Sequence, residues 1–387
     1  VGFGSKFWWV IAATFFGFLG IGTVLPSLAP HVKHDLGGSD RTVGFVIGIF
    51  SFVALGSRFF SGPLADRRGR KTAFLTGLVS CAFAGLSYLL PLGLAGAYLG
   101  RTLQGFGEAC LYTGAAAWAV EVAGIHRSGQ ALGYVSSGIW GGISAGPVVG
   151  HWLGSFERAA MMQAALAAVA FLILIRVPED YKPQPRIGKR NWLPRALLAP
   201  GIAIGFVNVH YPVIAGFLIL HLARHGNSGP AAFTAYAFMV LVSRFFLGGL
   251  PDRINPAITF FGGLALMAIG LTVLAFGPAP PIAIAAAGVL GLGFSFPWSA
   301  VATTALKRVT PGERGSAVGV ISAFYDLFVG VSSFAAGLIS KEYGYSAAFL
   351  MGAAALIAAA FAGAAVFRGG AAGAERMSEM EEVEAGR

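Results

Sequence analysis

Charge is what this sequence has least of. Of its 387 residues only 11% are Asp, Glu, Lys or Arg, where a soluble domain carries about 25%. Hydrophobic residues make up 56%, and the mean hydropathy is +0.72. A folded core cannot absorb that much apolar surface, so lipid must solvate a large part of it. That excludes an ordinary water-soluble enzyme or binding domain. Cysteine is nearly absent too. Cys81 and Cys110 both lie inside apolar runs, so neither a disulfide framework nor a cysteine zinc site can be assembled. There is also no Walker-type phosphate loop, no nucleophile elbow and no metal-ligand spacing. No cofactor or metal is implied, and no catalytic constellation appears. The net charge of +10 has no separate basic domain with interleaved aromatics behind it, so nucleic acid is not the expected partner.

What is present is a series of apolar runs. A membrane helix needs about 20 such residues, and candidate spans fall near 7–29, 42–64, 72–91, 94–119, 129–153, 158–176, 196–222, 230–250, 256–277, 280–305, 315–339 and 345–367. The expected fold is therefore an all-α membrane protein of twelve spans. The first run has no small-residue cleavage site of the usual form after it and reads as a retained helix. The 56 glycines suit close backbone approach between membrane helices. The longest polar interval, with Pro178, Pro183, Pro185 and Pro194 among Lys182, Arg186, Lys189 and Arg190, divides the chain. The expected organisation is a six-helix bundle over 1–176, a linker over 177–194, a second bundle over 195–368 and a disordered tail over 369–387. Nineteen of the 27 Lys and Arg residues fall on the side of the termini and five on the other. That asymmetry places both termini in the cytoplasm, with the bilayer as the chain's solvent.

The two halves repeat. Ser57-Arg58-Phe59-Phe60-x-Gly62-x-Leu64-x-Asp66-Arg67 recurs as Ser243-Arg244-Phe245-Phe246-x-Gly248-x-Leu250-x-Asp252-Arg253, 186 residues later. The same offset carries Gly105 and Gly107 onto Gly291 and Gly293, and Gly129, Ala131, Gly133 and Ser136 onto Gly315, Ala317, Gly319 and Ser322. Parallel repeats of this kind place a binding site at their interface near the midplane. A duplicated scaffold that transports nothing is the alternative.

Gly62-Pro63-Leu64-Ala65-Asp66-Arg67-Arg68-Gly69-Arg70-Lys71 resembles the signature loop between helices 2 and 3 of the major facilitator superfamily, and the degenerate second copy lies where that family has it. The resemblance covers the whole chain. It implies two pseudo-symmetric bundles around a central cavity, alternating access, and a monomer in a bacterial inner membrane. In physical terms, Gly62 would allow close helix approach, Asp66 could accept from a neighbouring helix N-terminus or an Arg, and Arg67, Arg70 and Lys71 stay at the surface. The loop reads either as a breakable latch or as a topology anchor.

A charge inside a bilayer is a functional hypothesis by default. Arg101, Gln104, Gly105, Glu108 and Tyr112 share one face of helix 4 by spacing. Arg101-x-x-Gln104-Gly105-x-Gly107 also resembles the family's helix-4 motif, which is associated there with proton coupling. Glu108 is then a candidate proton carrier or substrate contact, or else a carboxylate fixed by a structural hydrogen bond. Its repeat equivalent is Phe294, so the site is asymmetric. Helices 2 and 11 are neighbours in the family fold, which suggests an Arg58–Asp326 pair, either a gate or static glue. The repeat then sets Arg244 against Trp140, a cation–π contact. On helix 5, Gly138, Gly142, Gly146-Pro147 and Gly150 form a stripe. It resembles the helix-5 motif of proton-coupled exporters, with His151 where that motif ends in Gly. Further candidates for the cavity are Asn208, His210 and Tyr211 on helix 7, Ser295, Trp298 and Ser299 on helix 10, and Phe16 and Thr23 on helix 1.

The reading that follows is a secondary transporter with a small-molecule substrate and protons as partners. An exporter of drugs, sugars or metallophores is favoured by the helix-5 stripe, with a loose similarity to exporters of opine-like metallophores. An uptake symporter or uniporter for a nutrient or organic anion, with Arg101 facing the cavity, is the alternative. A non-transporting receptor on the same fold is the reading from another class.

Overall fold

The structure is a computed structural model that describes residues 3–124, 127–179, 195–223, 226, 228–247, 250–306 and 314–385. The side chains of residues 128, 129, 245, 251, 252, 306, 314–316, 318 and 369–385 are not described. Among the described residues, all regular structure is helical. The helices are α1 (Ser5–Asp35), α2 (Asp40–Arg68), α3 (Arg70–Ser87), α4 (Leu94–Ala123), α5 (Ser128–Leu153), α6 (Phe156–Ile175), α7 (Arg195–Ala223), α8 (Gly229–Leu247), α9 (Pro256–Ala275), α10 (Pro280–Leu306), α11 (Arg314–Tyr343) and α12 (Tyr345–Ala385). A single helical turn, Leu250–Arg253, lies between α8 and α9. Among the described residues eight of these are long and apolar enough to cross a membrane. Of the others, α4 and α5 owe their lower hydropathy to interior positions: α4 buries Arg101, Gln104 and Glu108, and α5 is rich in Gly and Ser.

Local signals set several of the ends. Ser39 and Thr42 cap the start of α2 reciprocally, each side chain bonding the other's backbone N–H at 3.2 Å. Gly69 alone separates α2 from α3, with φ at +105°, a conformation that favours glycine. α1 and α7 each break their hydrogen-bond ladder, at Val24 and Val209. Pro26 and Pro212 follow these breaks, one repeat apart, and each lacks the N–H the ladder needs.

The repeated glycines mark places where two backbones touch. A Cβ on Gly105 would lie 2.3 Å from the Phe50 carbonyl oxygen, and one on Gly291 would lie 2.3 Å from that of Tyr236. Gly77 and Gly107 press α3 on α4 as Gly263 and Gly293 press α9 on α10. The helix-5 stripe faces α1: Cβ atoms on Gly142, Gly146 and Gly150 would come within 2.5, 2.5 and 2.0 Å of Phe15, Gly22 and Thr23. Gly62 differs from its expectation. Nothing lies within 4 Å of where its Cβ would be, so no helix closes on it in this conformation.

α2 and α11 meet along the side of the molecule away from the α2–α3 loop. A Cβ on Gly44 would stand 2.5 Å from the Ser333 carbonyl oxygen. Arg41 pairs with Glu342 at 2.6 Å, and Tyr345 donates to Asp40 at 2.9 Å, where Lys33 also bonds. The two halves are therefore sealed together at that end. The interval 180–194 that was expected as most of the linker lies outside the described residues. α12 is helical to Ala385, over most of the 369–387 segment expected as a disordered tail. The Ala, Glu and Met residues there are strong helix formers.

Candidate functional site

A cavity of about 850 Å³ lies between the halves, within the range of small-molecule sites. Its walls run from Leu25 and Ile47 toward Ala116, Gln130, Tyr134 and Thr303. Those last residues are near the ends of α4, α5 and α10 that share a face with the α2–α3 loop. The cavity thus opens to that face, opposite the α2–α11 seal.

The N-terminal half contributes a charged cluster. Arg58 on α2 donates to Asp326 Oδ2 of α11 from Nε at 2.8 Å and from Nη2 at 2.6 Å. Glu108 Oε2 is 3.8 Å from the same Nη2 and is buried with no hydrogen-bond partner. Arg58 also stands over the Tyr112 ring at 4.9 Å, and the Tyr112 hydroxyl is 3.2 Å from Ser322 on α11. Two carboxylates therefore share one guanidinium, and only one is hydrogen-bonded to it.

The C-terminal half repeats the geometry with different chemistry. Arg244 on α8 occupies the position of Arg58, and its guanidinium is 4.5 Å from the Trp140 ring and 5.6 Å from that of Phe294. Trp140 also touches Trp298 and Tyr325, at ring separations of 6.3 and 5.9 Å. Nε and Nη2 of Arg244 are buried and have no hydrogen-bond partner among the described residues. The expected Arg58–Asp326 and Arg244–Trp140 contacts are both present.

The face expected on α4 divides. Arg101, Glu108 and Tyr112 line the cavity, whereas Gln104 and Gly105 do not. At about 100° per residue, the latter two sit at the edges of the stripe and meet other helices. Gln104 is fully buried, bonding Gln163 of α6 at 2.9 Å and the Ile21 carbonyl at 3.4 Å. Arg101 lines the cavity but directs its donors into the bundle. Nε and Nη2 reach the Val46 and Ile47 carbonyls at 3.1 Å each, and Nη1 bonds Gln104. An anion-binding role for Arg101 is thus corrected. Its N–H groups already serve two α2 carbonyls and the Gln104 side chain.

Two helix-7 candidates also move out of the cavity. Asn208 donates to the Ile204 carbonyl at 2.7 Å, within its own helix. His210 is fully buried, with Nδ1 2.7 Å from the Val207 carbonyl and Nε2 3.1 Å from the Tyr236 hydroxyl. The break at Val209 turns both into the C-terminal bundle. Tyr211, Trp298 and Ser299 do line the cavity. Thr23 bonds back to Leu19 and Ser295 bonds Ser243, and neither they nor Phe16 line it.

At the open face, the signature loop binds its own half. Arg70 pairs with Glu121 of α4 at 2.8 Å. Glu179 accepts from the backbone N–H groups of Arg70 and Lys71 at 2.6 and 3.0 Å, which caps α3. The Lys71 ammonium donates to the Ile175 and Val177 carbonyls at 2.9 and 2.8 Å. Asp66 and Arg67 are exposed at the end of α2. Gly146 packs on α1, and Pro147 lies within α5 without interrupting it. The Asp252 side chain lies outside the described residues. Sequence reasoning missed Gln163, Tyr325 and Glu179. A Gln inside an apolar run signals the first, whereas Tyr325 has only Ile139 as its repeat equivalent and carries no such mark.

Comparison with known proteins agrees with this architecture. The family model of the Major Facilitator Superfamily matches residues 10–230 and 207–385. An uncharacterised MFS-type transporter of Salmonella typhimurium is 30% identical over 357 residues, covering 88% of this chain and 91% of the relative. One from Burkholderia mallei is 27% identical over 354 residues, covering 88% and 87%. Among solved structures, a nucleoside transporter, NupG (D323A mutant), superposes with a TM-score of 0.75 at 15% identity, covering 94% of this chain and 100% of that one. The human organic anion transporter MFSD10 gives 0.67 at 15%, covering 93% and 100%. At that identity the likeness shows the fold alone. The chain is a multi-pass membrane protein and belongs to the Major Facilitator Superfamily of secondary transporters.

Proposed function

We propose that this protein is a proton-coupled antiporter that exports a small organic molecule by alternating access from a bacterial inner membrane. In this reading all of α1 to α12 cross the bilayer, both termini are cytoplasmic and the protein works as a monomer. The observation that carries the reading is the shared guanidinium. Glu108 lines the cavity, and its buried Oε2 has no hydrogen-bond partner among the described residues, while Asp326 holds Arg58. A proton on Glu108 removes one of two negative charges competing for Arg58, and its loss restores the competition. Because Asp326 belongs to the opposite half, this balance bears on how tightly α2 holds α11. Binding at Glu108 is thereby linked to the seam that must move. The efflux direction draws on the glycine stripe packed on α1.

The test is proton flux in proteoliposomes carrying an internal pH dye, on addition of a substrate panel, with Glu108→Gln beside wild type. Proton movement opposite to substrate, lost in Glu108→Gln, is the expected result. Movement in the same direction would make the protein a symporter. Substrate flux without proton movement, equal in both proteins, would remove the coupling role from Glu108.

A further inference from the structure

Three arginines lie within the described helices facing the interior: Arg58, Arg101 and Arg244. Two already have anionic or carbonyl partners for their donors. Arg58 is held by Asp326 with Glu108 beside it, and Arg101 by two carbonyls of α2 and by Gln104. Arg244 has neither. Its counterpart position to Asp326 is Trp140, and its counterpart position to Glu108 is Phe294. Both are aromatic, so the repeat replaces two carboxylates with two π faces.

The geometry of the guanidinium decides what is left over. Its Cζ stands 4.5 Å from the centre of the Trp140 ring, the distance of a cation–π contact. A ring supplies no lone pair in the guanidinium plane of the kind a carboxylate does. Nε and Nη2 share one edge of the planar fork; both are buried, and neither has a hydrogen-bond partner among the described residues. That edge presents two parallel N–H groups, which match the two oxygens of a carboxylate. A buried cation with unmet donors is unfavourable by itself, and it lines the cavity. Beside it stand Trp140, Trp298 and Tyr325, which form one connected set of rings.

We infer that the cavity selects an organic monoanion with a flat apolar body, its carboxylate held by the Nε–Nη2 edge of Arg244 and its body lying on Trp140 and Trp298. This rests on the transport reading above only in taking the cavity as the substrate's. The charged half then handles the proton and the aromatic half handles the substrate. A neutral analogue of the same shape gains the ring contacts but leaves the Arg244 edge unmet, so it binds at least about tenfold more weakly.

The experiment is the thermal unfolding of the purified full chain in detergent, with matched acids and amides: benzoate and benzamide, 2-naphthoate and 2-naphthamide, indole-3-acetate and indole-3-acetamide. A ligand that binds the folded protein raises its unfolding temperature in proportion to occupancy. In wild type, the acids are expected to act at about tenfold lower concentration than their amides. Arg244→Gln abolishes that preference, and Arg244→Lys, which keeps the charge but loses the planar fork, reduces it. Equal action of acid and amide, no action by either, or an acid preference that survives in Arg244→Gln would each overturn the inference. Where Arg244→Gln does not fold, Arg244→Lys decides, and full retention of the preference there overturns it. Acid preference with no proton coupling in liposomes therefore removes the antiport reading alone, and proton coupling without acid preference removes this inference alone.

Discussion

The two halves carry the same arginine at the same place and surround it in opposite ways. Around Arg58 stand Tyr112, Glu108 and Asp326, and around Arg244, one repeat later, stand Phe294 and Trp140, with Trp298 against Trp140. The backbone contacts beneath are common to both, since Gly105 on Phe50 matches Gly291 on Tyr236 to the same 2.3 Å. A duplicated frame has therefore kept its packing while its two cavity walls diverged in chemistry. Packing tolerates little change at a glycine pressed against a carbonyl. A side chain facing a cavity has no such neighbour, so its identity is free to follow function.

The largest expected effect breaks this comparison directly. Arg58→Met strands two carboxylates in the cavity wall, a change that costs about 3–5 kcal/mol when one partner of a buried pair is removed. Arg244→Met removes a cation with no ionic partner and is expected to be neutral or stabilising. Thermal unfolding of the two variants in detergent checks the contrast, and equal losses would show that the two arginines are held alike. A second variant makes the halves alike. Trp140→Asp places a carboxylate at the counterpart of Asp326, where it can occupy the Arg244 edge. Binding of 2-naphthoate is expected to fall by about tenfold or more, read by the same thermal shift, while the chain still folds.

The smallest effect lies at the open face, where the halves also differ. α3 is capped by Glu179, brought from the end of α6, whereas α9 is capped by its neighbour Asn255, whose side chain accepts from Ala257 N–H at 2.9 Å. Glu179→Gln and Asn255→Ala should each cost about 1 kcal/mol. In hydrogen exchange, the first should loosen α3 and the chain after α6 together, and the second the start of α9 alone.

Much of this was legible in the residues. Apolar runs of sufficient length, the 186-residue offset and the loop from Gly62 to Lys71 point to the frame. Spacing alone brought Arg101, Glu108 and Tyr112 to one wall, and the offset carried the Arg58–Asp326 pair over to Arg244 and Trp140. Helical spacing was less able to say where a stripe ends. Gln104, at its edge, turned to Gln163, and Asn208 and His210 turned inward with the break at Val209. Gly62 was read as a contact and meets nothing within 4 Å, because helix approach at that face depends on which end of the cavity is open.

What the sequence determined by itself is the inventory: a lipid-solvated helical chain, two repeats, and three arginines and two carboxylates placed within its spans. Only the tertiary structure decided how those charges are shared. Arg101 finds its carbonyls 54 and 55 residues away, and Arg58 finds Asp326 at a separation of 268. A charge in a low-dielectric interior takes its character from the groups within a few ångströms. Those groups come from helices that are adjacent in space and remote in the chain. That is why three similar arginines in the sequence became a structural brace, half of an ion pair and a free guanidinium edge.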